Sequence, residues 1–330
     1  MDRFDWHDGE RRIHFGRGRA AEAVDLLGGP GYTLLTTARG VAAAPHVVEA
    51  AGAVHHVVPG RVDEIAGDLL GIEGERLAAL GGGRVVDTAK AIAAARRASG
   101  GEAVAMAVPT TLSGAEMTRT HRFARGAPQG TRHVRAAAVV ADPALMASQP
   151  VRDLAASALN ALGHAVEGPC TRRSNPVATL AGDEAARLLT GAFAAEEPER
   201  EALSLGALLA GYSIDSAGYG LHHVLSQTLV RMTGVGHGAA NAVLLPHTSR
   251  ALARRFPGRA ARVAERVGED PAGAAARICA LTGATTLSEL GVDRGALPAC
   301  AEAAARRDDL DMTPPRADRA EILALYERAY

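Results

Sequence analysis

The chain of 330 residues contains one lysine, Lys90; arginine fills every other basic position. Its three cysteines, Cys170, Cys279 and Cys300, are scattered without a C-x-x-C pair. That excludes a zinc ribbon or a disulfide framework and suits a reducing compartment. A net charge of −1 with no long basic run gives no electrostatic reason to expect nucleic acid or an anionic membrane as partner. No stretch approaches the roughly 20 apolar residues of a membrane helix, and the polar opening Asp2-Arg3-Phe4-Asp5-Trp6 is not a signal peptide. The cytoplasm is therefore the expected location. With 47% hydrophobic and 22% charged residues, the composition is that of a soluble globular protein, long enough for one large or two ordinary domains.

What is present is organised around Gly81-Gly82-Gly83-Arg84-Val85-Val86-Asp87-Thr88-Ala89-Lys90. An apolar run over 77–80 reads as a buried strand, and an alanine-rich helix follows. Glycines at a strand-to-helix turn let backbone N–H groups approach an anion, and the helix N-terminus adds partial positive charge. A pyrophosphate needs that geometry. The solitary Lys90 inside this segment marks a place where a compact amine is required, because a planar guanidinium does not replace a point charge. A second segment, Pro109-Thr110-Thr111-Leu112-Ser113-Gly114-Ala115-Glu116, follows another strand and offers hydroxyls to phosphate or ribose oxygens. Neither segment is a G-x-G-x-x-G fingerprint or a Walker P-loop.

Along the chain, residues 11–16 read as an edge strand, 18–27 as a helix and 32–37 as a strand. Helix 45–51, strand 54–58, helix 62–70, strand 77–80, helix 85–98 and strands 103–108 and 136–140 follow. Strands alternating with helices predict a parallel, doubly wound sheet. The Gly- and Arg-rich stretch 119–132 is expected to be a mobile loop. After Pro150 no strand is predicted; the text is helical, broken at Ser174-Asn175-Pro176, Glu197-Pro198, Pro246, Pro257, Pro271, Pro298 and Pro314-Pro315. Asp318 with Glu321 reads as the N-cap pair of a last helix. The expected domains are 1–150, α/β and nucleotide-binding, and 151–330, helical and carrying substrate and catalytic groups.

Five of the twelve histidines fall between 164 and 247, beside glycine-rich turns. Asn160 and His164 are four apart and share a helix face; His222, His223, His237 and His247 follow. Three neutral imidazoles (His164, His223, His237) could hold Zn²⁺ or Fe²⁺, but Asn160 offers only a neutral amide as fourth donor, which predicts weak metal retention or none. The same imidazoles could donate a proton near neutral pH.

These motifs together resemble the iron-containing alcohol dehydrogenase superfamily: Gly81-Gly82-Gly83 with Asp87 and Lys90, Pro109-Thr110-Thr111 with Gly114 and Glu116, and His223 followed fourteen residues later by His237-Gly238. Within it the chain is most similar to maleylacetate reductases, in Ser113-Gly114-Ala115-Glu116-Met117-Thr118, in Asn160-Ala161-Leu162-Gly163-His164-Ala165-Val166-Glu167 and in Gly220-Leu221-His222-His223. The resemblance implies an α/β N-terminal nucleotide-binding domain with a parallel sheet and an all-α C-terminal domain, the dehydroquinate synthase-like arrangement, with nicotinamide meeting substrate in a cleft. It places the nucleotide on Gly81, Gly82, Gly83, Asp87, Lys90, Thr110, Thr111 and Ser113. The metal positions of metal-dependent members, one aspartate and three histidines, fall on Asn160, His164, His223 and His237. Maleylacetate reductases are similar in having asparagine there and are thought to work without a metal.

The chain also departs from the pattern. Gln227 stands where a further histidine is usual, and Arg84 and Ala115 where serine is. The segment Thr36-Thr37-Ala38-Arg39 lacks the acidic residue that would hold a ribose 2′-OH. Thr36 and Arg39 are thus further cofactor candidates, and Arg39 facing a 2′-phosphate makes NADPH as good an expectation as NADH.

The expected activity is NAD(P)H-dependent reduction of the activated double bond of a 2-ene-4-oxo diacid, maleylacetate to 3-oxoadipate, or of a related oxo compound. His223 or His237 would supply the proton, and Asn160 and His164 would orient substrate oxygens. Arg119 and Arg135 are guesses for a diacid's partner. The alternatives are an Fe- or Zn-dependent alcohol dehydrogenase acting on a small aldehyde or alcohol, and a nucleotide-binding relative without catalysis. A homodimer is expected from the family type.

Overall fold

A computed structural model describes residues 2–330. The chain divides into two compact units, one running through Ser148 and the other Gln149–Tyr330. Each is treated by itself.

The first unit is built on short apolar runs that are buried on both faces, as a parallel sheet covered by helices requires. Its strands are β1 (Phe4–Asp8), β2 (Arg11–Phe15), β3 (Thr33–Thr36), β4 (Ala53–His56), β5 (Arg76–Gly81), β6 (Val104–Pro109) and β7 (Ala138–Ala141). They form one sheet in the order β1-β2-β7-β6-β5-β3-β4. All neighbours are parallel except β1 against β2. The helices are α1 (Ala23–Leu26), α2 (Ala38–Ala43), α3 (Pro45–Glu49), α4 (Val62–Asp68), α5 (Gly83–Ala98) and α6 (Pro143–Met146).

Two sequence expectations need correction. β2 is not an edge strand: β1 covers it, and Phe4 stacks on Phe15 at 5.0 Å between centroids. The alternation of Phe4 and Trp6 with charged neighbours is a half-buried strand pattern, too short to stand out. Helix α2 was also unread; it forms because Thr37 accepts from the Gly40 N–H at 3.2 Å as its N-cap. The stretch expected to be mobile is tied down. The Arg125 N–H donates to the Asp63 carbonyl at 2.8 Å, and His133 stacks on Phe123 at 4.4 Å and meets His121 edge-on at 4.8 Å.

The sheet register matters most for the site. Leu80 pairs with Val108 and Gly81 with Pro109, so β5 and β6 end at the same level. The glycine turn and the threonine-rich loop leave the sheet side by side. Lys90, on α5, then fixes the second loop. Its side chain is completely buried. Its Nζ donates to the carbonyls of Ala115 at 2.8 Å and Thr118 at 2.9 Å, reaches Thr120 at 3.4 Å, and pairs with Asp87 at 2.7 Å. Three carbonyls converging on one point suit an ammonium and not a planar fork, which accounts for a lysine in an arginine chain.

The second unit is helical, with no strand among the described residues: α7 (Val151–Glu167), α8 (Pro176–Gly191), α9 (Arg200–Ala217), α10 (Leu221–Thr233), α11 (His237–Arg255), α12 (Pro257–Val267), α13 (Pro271–Cys279), α14 (Leu297–Ala305) and α15 (Arg319–Ala329). Pro176, Pro257, Pro271 and Pro298 lie in first turns, where the missing N–H costs nothing. Pro246 is the exception to its reading as a break: α11 runs through it. Asp318 accepts from the Glu321 N–H at 2.8 Å and caps α15.

Replacing Lys90 with Met should lower the unfolding free energy by about 2 kcal/mol, because three carbonyls and a carboxylate lose one shared donor. Lys90→Arg should also destabilise. Urea unfolding measures both, and a wild-type midpoint in Lys90→Arg would show that charge alone suffices.

Candidate active site

In the first unit the β5–α5 turn forms a bare cradle. Gly82 is the N-cap of α5 and no side chain caps this helix, so its first N–H groups are available to an anion. A Cβ on Gly82 would lie 2.9 Å from Thr111 Cγ2, and one on Gly83 would lie 3.0 Å from Ser113 Cβ. The two loops are thus in contact, and only glycine permits it. Thr110 joins them through its N–H, which donates to the Gly81 carbonyl at 3.0 Å. Thr111 Oγ1 is buried without a partner, and such an orphaned hydroxyl beside free helix N–H groups fits a phosphate or ribose oxygen. Next to the cradle, burial pushes Glu116 up to about 7.

The remaining cofactor candidates separate. Arg39 is exposed on α2 and Arg84 on α5. Thr36 is fully buried and its hydroxyl donates to the Leu80 carbonyl at 2.9 Å; it serves the sheet, contrary to the expectation that it meets cofactor. The Lys90 amine is taken up by the loop carbonyls and by Asp87, whose side chain keeps 27% exposure. Both shape the cradle from below.

In the second unit α7, α10 and α11 bring Asn160, His164, His223 and His237 together. The His164 and His223 rings stack at 4.7 Å. Asn241 Nδ2 reaches Asn160 Oδ1 at 3.1 Å and His237 Nε2 at 3.0 Å. His222 meets His223 edge-on at 5.0 Å, and it fits because residue 163 is glycine: a Cβ there would lie 2.8 Å from His222 Nε2. Exposure grades across the group. His237 is open, His164, Asn160 and His223 are 8%, 7% and 4% exposed, and His222, Asn241 and Glu167 are sealed at 0%. The first four line the accessible face.

Glu167, on α7, organises the rest. It accepts from the His222 N–H at 2.5 Å and from His223 Nδ1 at 2.5 Å, and it lies 3.4 Å from the His223 N–H. Its carboxylate thus does for the start of α10 what an N-cap side chain would do. Burial raises its pKa, opposed by interaction with the His222 ring and by the N–H groups of Gly220, His222 and His223. Burial also pushes His222 and His223 down to about 3 and His164 well below the ordinary imidazole range, so these rings are neutral at neutral pH. A neutral His223 that donates Nδ1–H to Glu167 keeps a lone pair on Nε2, which has no partner. It is an acceptor there. His237 Nε2 lies 3.0 Å from Asn241 Nδ2, whose two hydrogens also serve Asn160 Oδ1 at 3.1 Å and the His237 carbonyl at 3.0 Å.

For a divalent metal the cluster offers three imidazoles and the Asn160 amide. Among the described residues no group of three His, Cys, Asp or Glu side chains is arranged to hold one. Asn160 supplies an amide where a carboxylate would be needed, and the Asn241 amide already engages Asn160 Oδ1 and His237 Nε2.

A model of the Fe-containing alcohol dehydrogenase family, C-terminal region, matches residues 154–330. The chain therefore belongs to the iron-containing alcohol dehydrogenase family, whose members are oxidoreductases. Its relatives within that family include maleylacetate reductases. It is 31% identical over 262 residues to the maleylacetate reductase of Rhizobium sp. strain MTP-10005, covering 76% of this chain and 72% of that one. It is 32% identical over 208 residues to the 1,3-propanediol dehydrogenase of Klebsiella pneumoniae, covering 57% and 54%, so it spans about half the length of that relative. The crystal structure of maleylacetate reductase from Agrobacterium tumefaciens superposes with a TM-score of 0.83 at 26% identity, covering 100% of this chain and 99% of that one.

Glu167 and Asn241 are the site residues that the sequence reading missed. Both had a signal, since Glu167 lies three residues after His164 and Asn241 four after His237, each on a shared helix face.

In ¹H–¹⁵N spectra between pH 5 and 8, His164, His222 and His223 should stay neutral, with the hydrogen of His223 on Nδ1. An imidazole among them titrating near pH 6.5 would show the cluster to be hydrated.

Proposed function

We propose that the chain is an NAD(P)H-dependent reductase of maleylacetate reductase type, acting on the activated double bond of a 2-ene-4-oxo diacid or a related oxo compound. The observation that carries this reading is the amide link Asn160–Asn241–His237 where a metal-holding carboxylate would otherwise lie. The likeness to maleylacetate reductases over three quarters of the chain supports it.

The first unit holds the nucleotide at Gly82, Gly83, Thr111 and Ser113, and the exposed Arg39 admits the 2′-phosphate of NADPH. A nicotinamide held there would supply the hydride for the alkene carbon β to the ketone. The electron pair of the double bond then moves toward the ketone oxygen as an enolate. His237 donates a hydrogen bond to that developing charge. Asn160 and His164 orient substrate oxygens. The enolate α-carbon takes its proton from His237 or from a water that His237 holds, and solvent returns that proton to the ring.

The second reading is a metal-dependent alcohol dehydrogenase, favoured by the unpartnered His164 Nδ1 and His223 Nε2 with Glu167 behind the latter. Metal analysis with activity before and after chelation separates the two. Reduction of maleylacetate that survives metal removal is the expected result; a stoichiometric metal whose loss abolishes turnover would replace the first reading with the second.

His237→Ala should lower kcat by about 100-fold, the loss typical of one oxyanion donor, while the Kd for NADPH changes little. Collapse of NADPH binding with normal residual turnover would move His237 out of the substrate site.

A further inference from the structure

Arg307 follows α14 at a position that no motif singles out, and its side chain is 16% exposed. Its Nη1 donates to Gln227 Oε1 at 2.9 Å and its Nη2 to Asp309 Oδ2 at 2.7 Å. Gln227 is one turn beyond His223 on α10, so it presents Arg307 on the face that carries the imidazole. The guanidinium also interacts with Tyr219, whose ring lies 5.9 Å from that of His223. Its charge is felt at His223, where it further disfavours the imidazolium.

The surroundings make this cation informative. His164, Asn160 and Asn241 are uncharged at neutral pH, and Glu167 is turned to the start of α10. A guanidinium has five donors in a fixed fork, and Gln227, Asp309 and Tyr219 do not exhaust them. A histidine at position 227 would bring a second titratable ring here; the glutamine supplies a neutral acceptor that orients Arg307 without sharing its charge. Asp309, with its side chain 42% exposed, anchors the guanidinium from the solvent side.

We infer that Arg307, held by Gln227 and Asp309, is the specificity-determining residue of the histidine site and binds a carboxylate of the substrate. This rests on the reading of the imidazole cluster as the substrate site. It assigns within that site the group that separates anionic oxo acids from neutral aldehydes. Arg–carboxylate pairs of this kind are bidentate and charge-assisted.

The test is binding of maleate, an unreactive dicarboxylate, to the full chain, measured by calorimetry and by the shift of the His223 imidazole resonance. Maleamide, its uncharged diamide, is the control. Arg307→Gln should weaken maleate binding by about 30-fold, the loss of a charged hydrogen-bonded pair, and leave maleamide unchanged. Arg307→Lys, which keeps the charge, should recover part of the loss. Circular dichroism of each variant checks folding. Equal maleate affinity in wild type and a folded Arg307→Gln would overturn the assignment, as would a wild type that binds no maleate. Failure of the reductase reading shows separately: a wild type that binds maleate through Arg307 but oxidises no NADPH with any oxo acid keeps the anion subsite and loses the proposed reaction.

Discussion

The histidine site depends on one buried carboxylate. Glu167 is sealed from solvent in α7, and an isolated charge there would be costly. It is stabilised by N–H groups at the start of α10 and by the His223 ring. The same bonds place α10 against α7 and select the tautomer of His223. They also decide which imidazole nitrogen faces outward. Without Glu167 the His164–His223 stack would have no fixed orientation, and the Nε2 lone pair no assigned direction.

A comparable economy operates in the first unit. The Gly81–Pro109 register brings two loops to one level, and Lys90 holds the second loop from beneath. In both units the charged group is invested in backbone N–H or carbonyl groups, and neutral groups line the accessible surface. Neutral imidazoles and amides suit a reaction in which charge develops on the substrate, because preformed dipoles stabilise it without reorganising.

An amide link joins α7 and α11. Asn241 bridges Asn160 and His237, so the position that would supply a carboxylate supplies a dipole. Gln227 offers Arg307 a neutral acceptor, and Asp309 pairs with the same guanidinium.

The parallel α/β unit was legible because strands buried on both faces read as apolar runs, and the helical unit because helix spacing persists after residue 150. The turn at Gly81, the pairing of Asn160 with His164 and the family itself also followed from local spacing. β1 and α2 were hidden, being too short for periodicity to register. The sequence marks Lys90 out, but nothing local shows that three carbonyls converge on it from residues 115–120. Glu167, Asn241 and Arg307 acquire their roles from partners 56, 81 and 80 positions away. Local sequence determined which elements form and which residue types each offers. Only the tertiary structure decided which nitrogen is an acceptor, which carboxylate is a cap and which cation meets the site, because hydrogen-bond partners and burial are properties of packed neighbours distant in the chain.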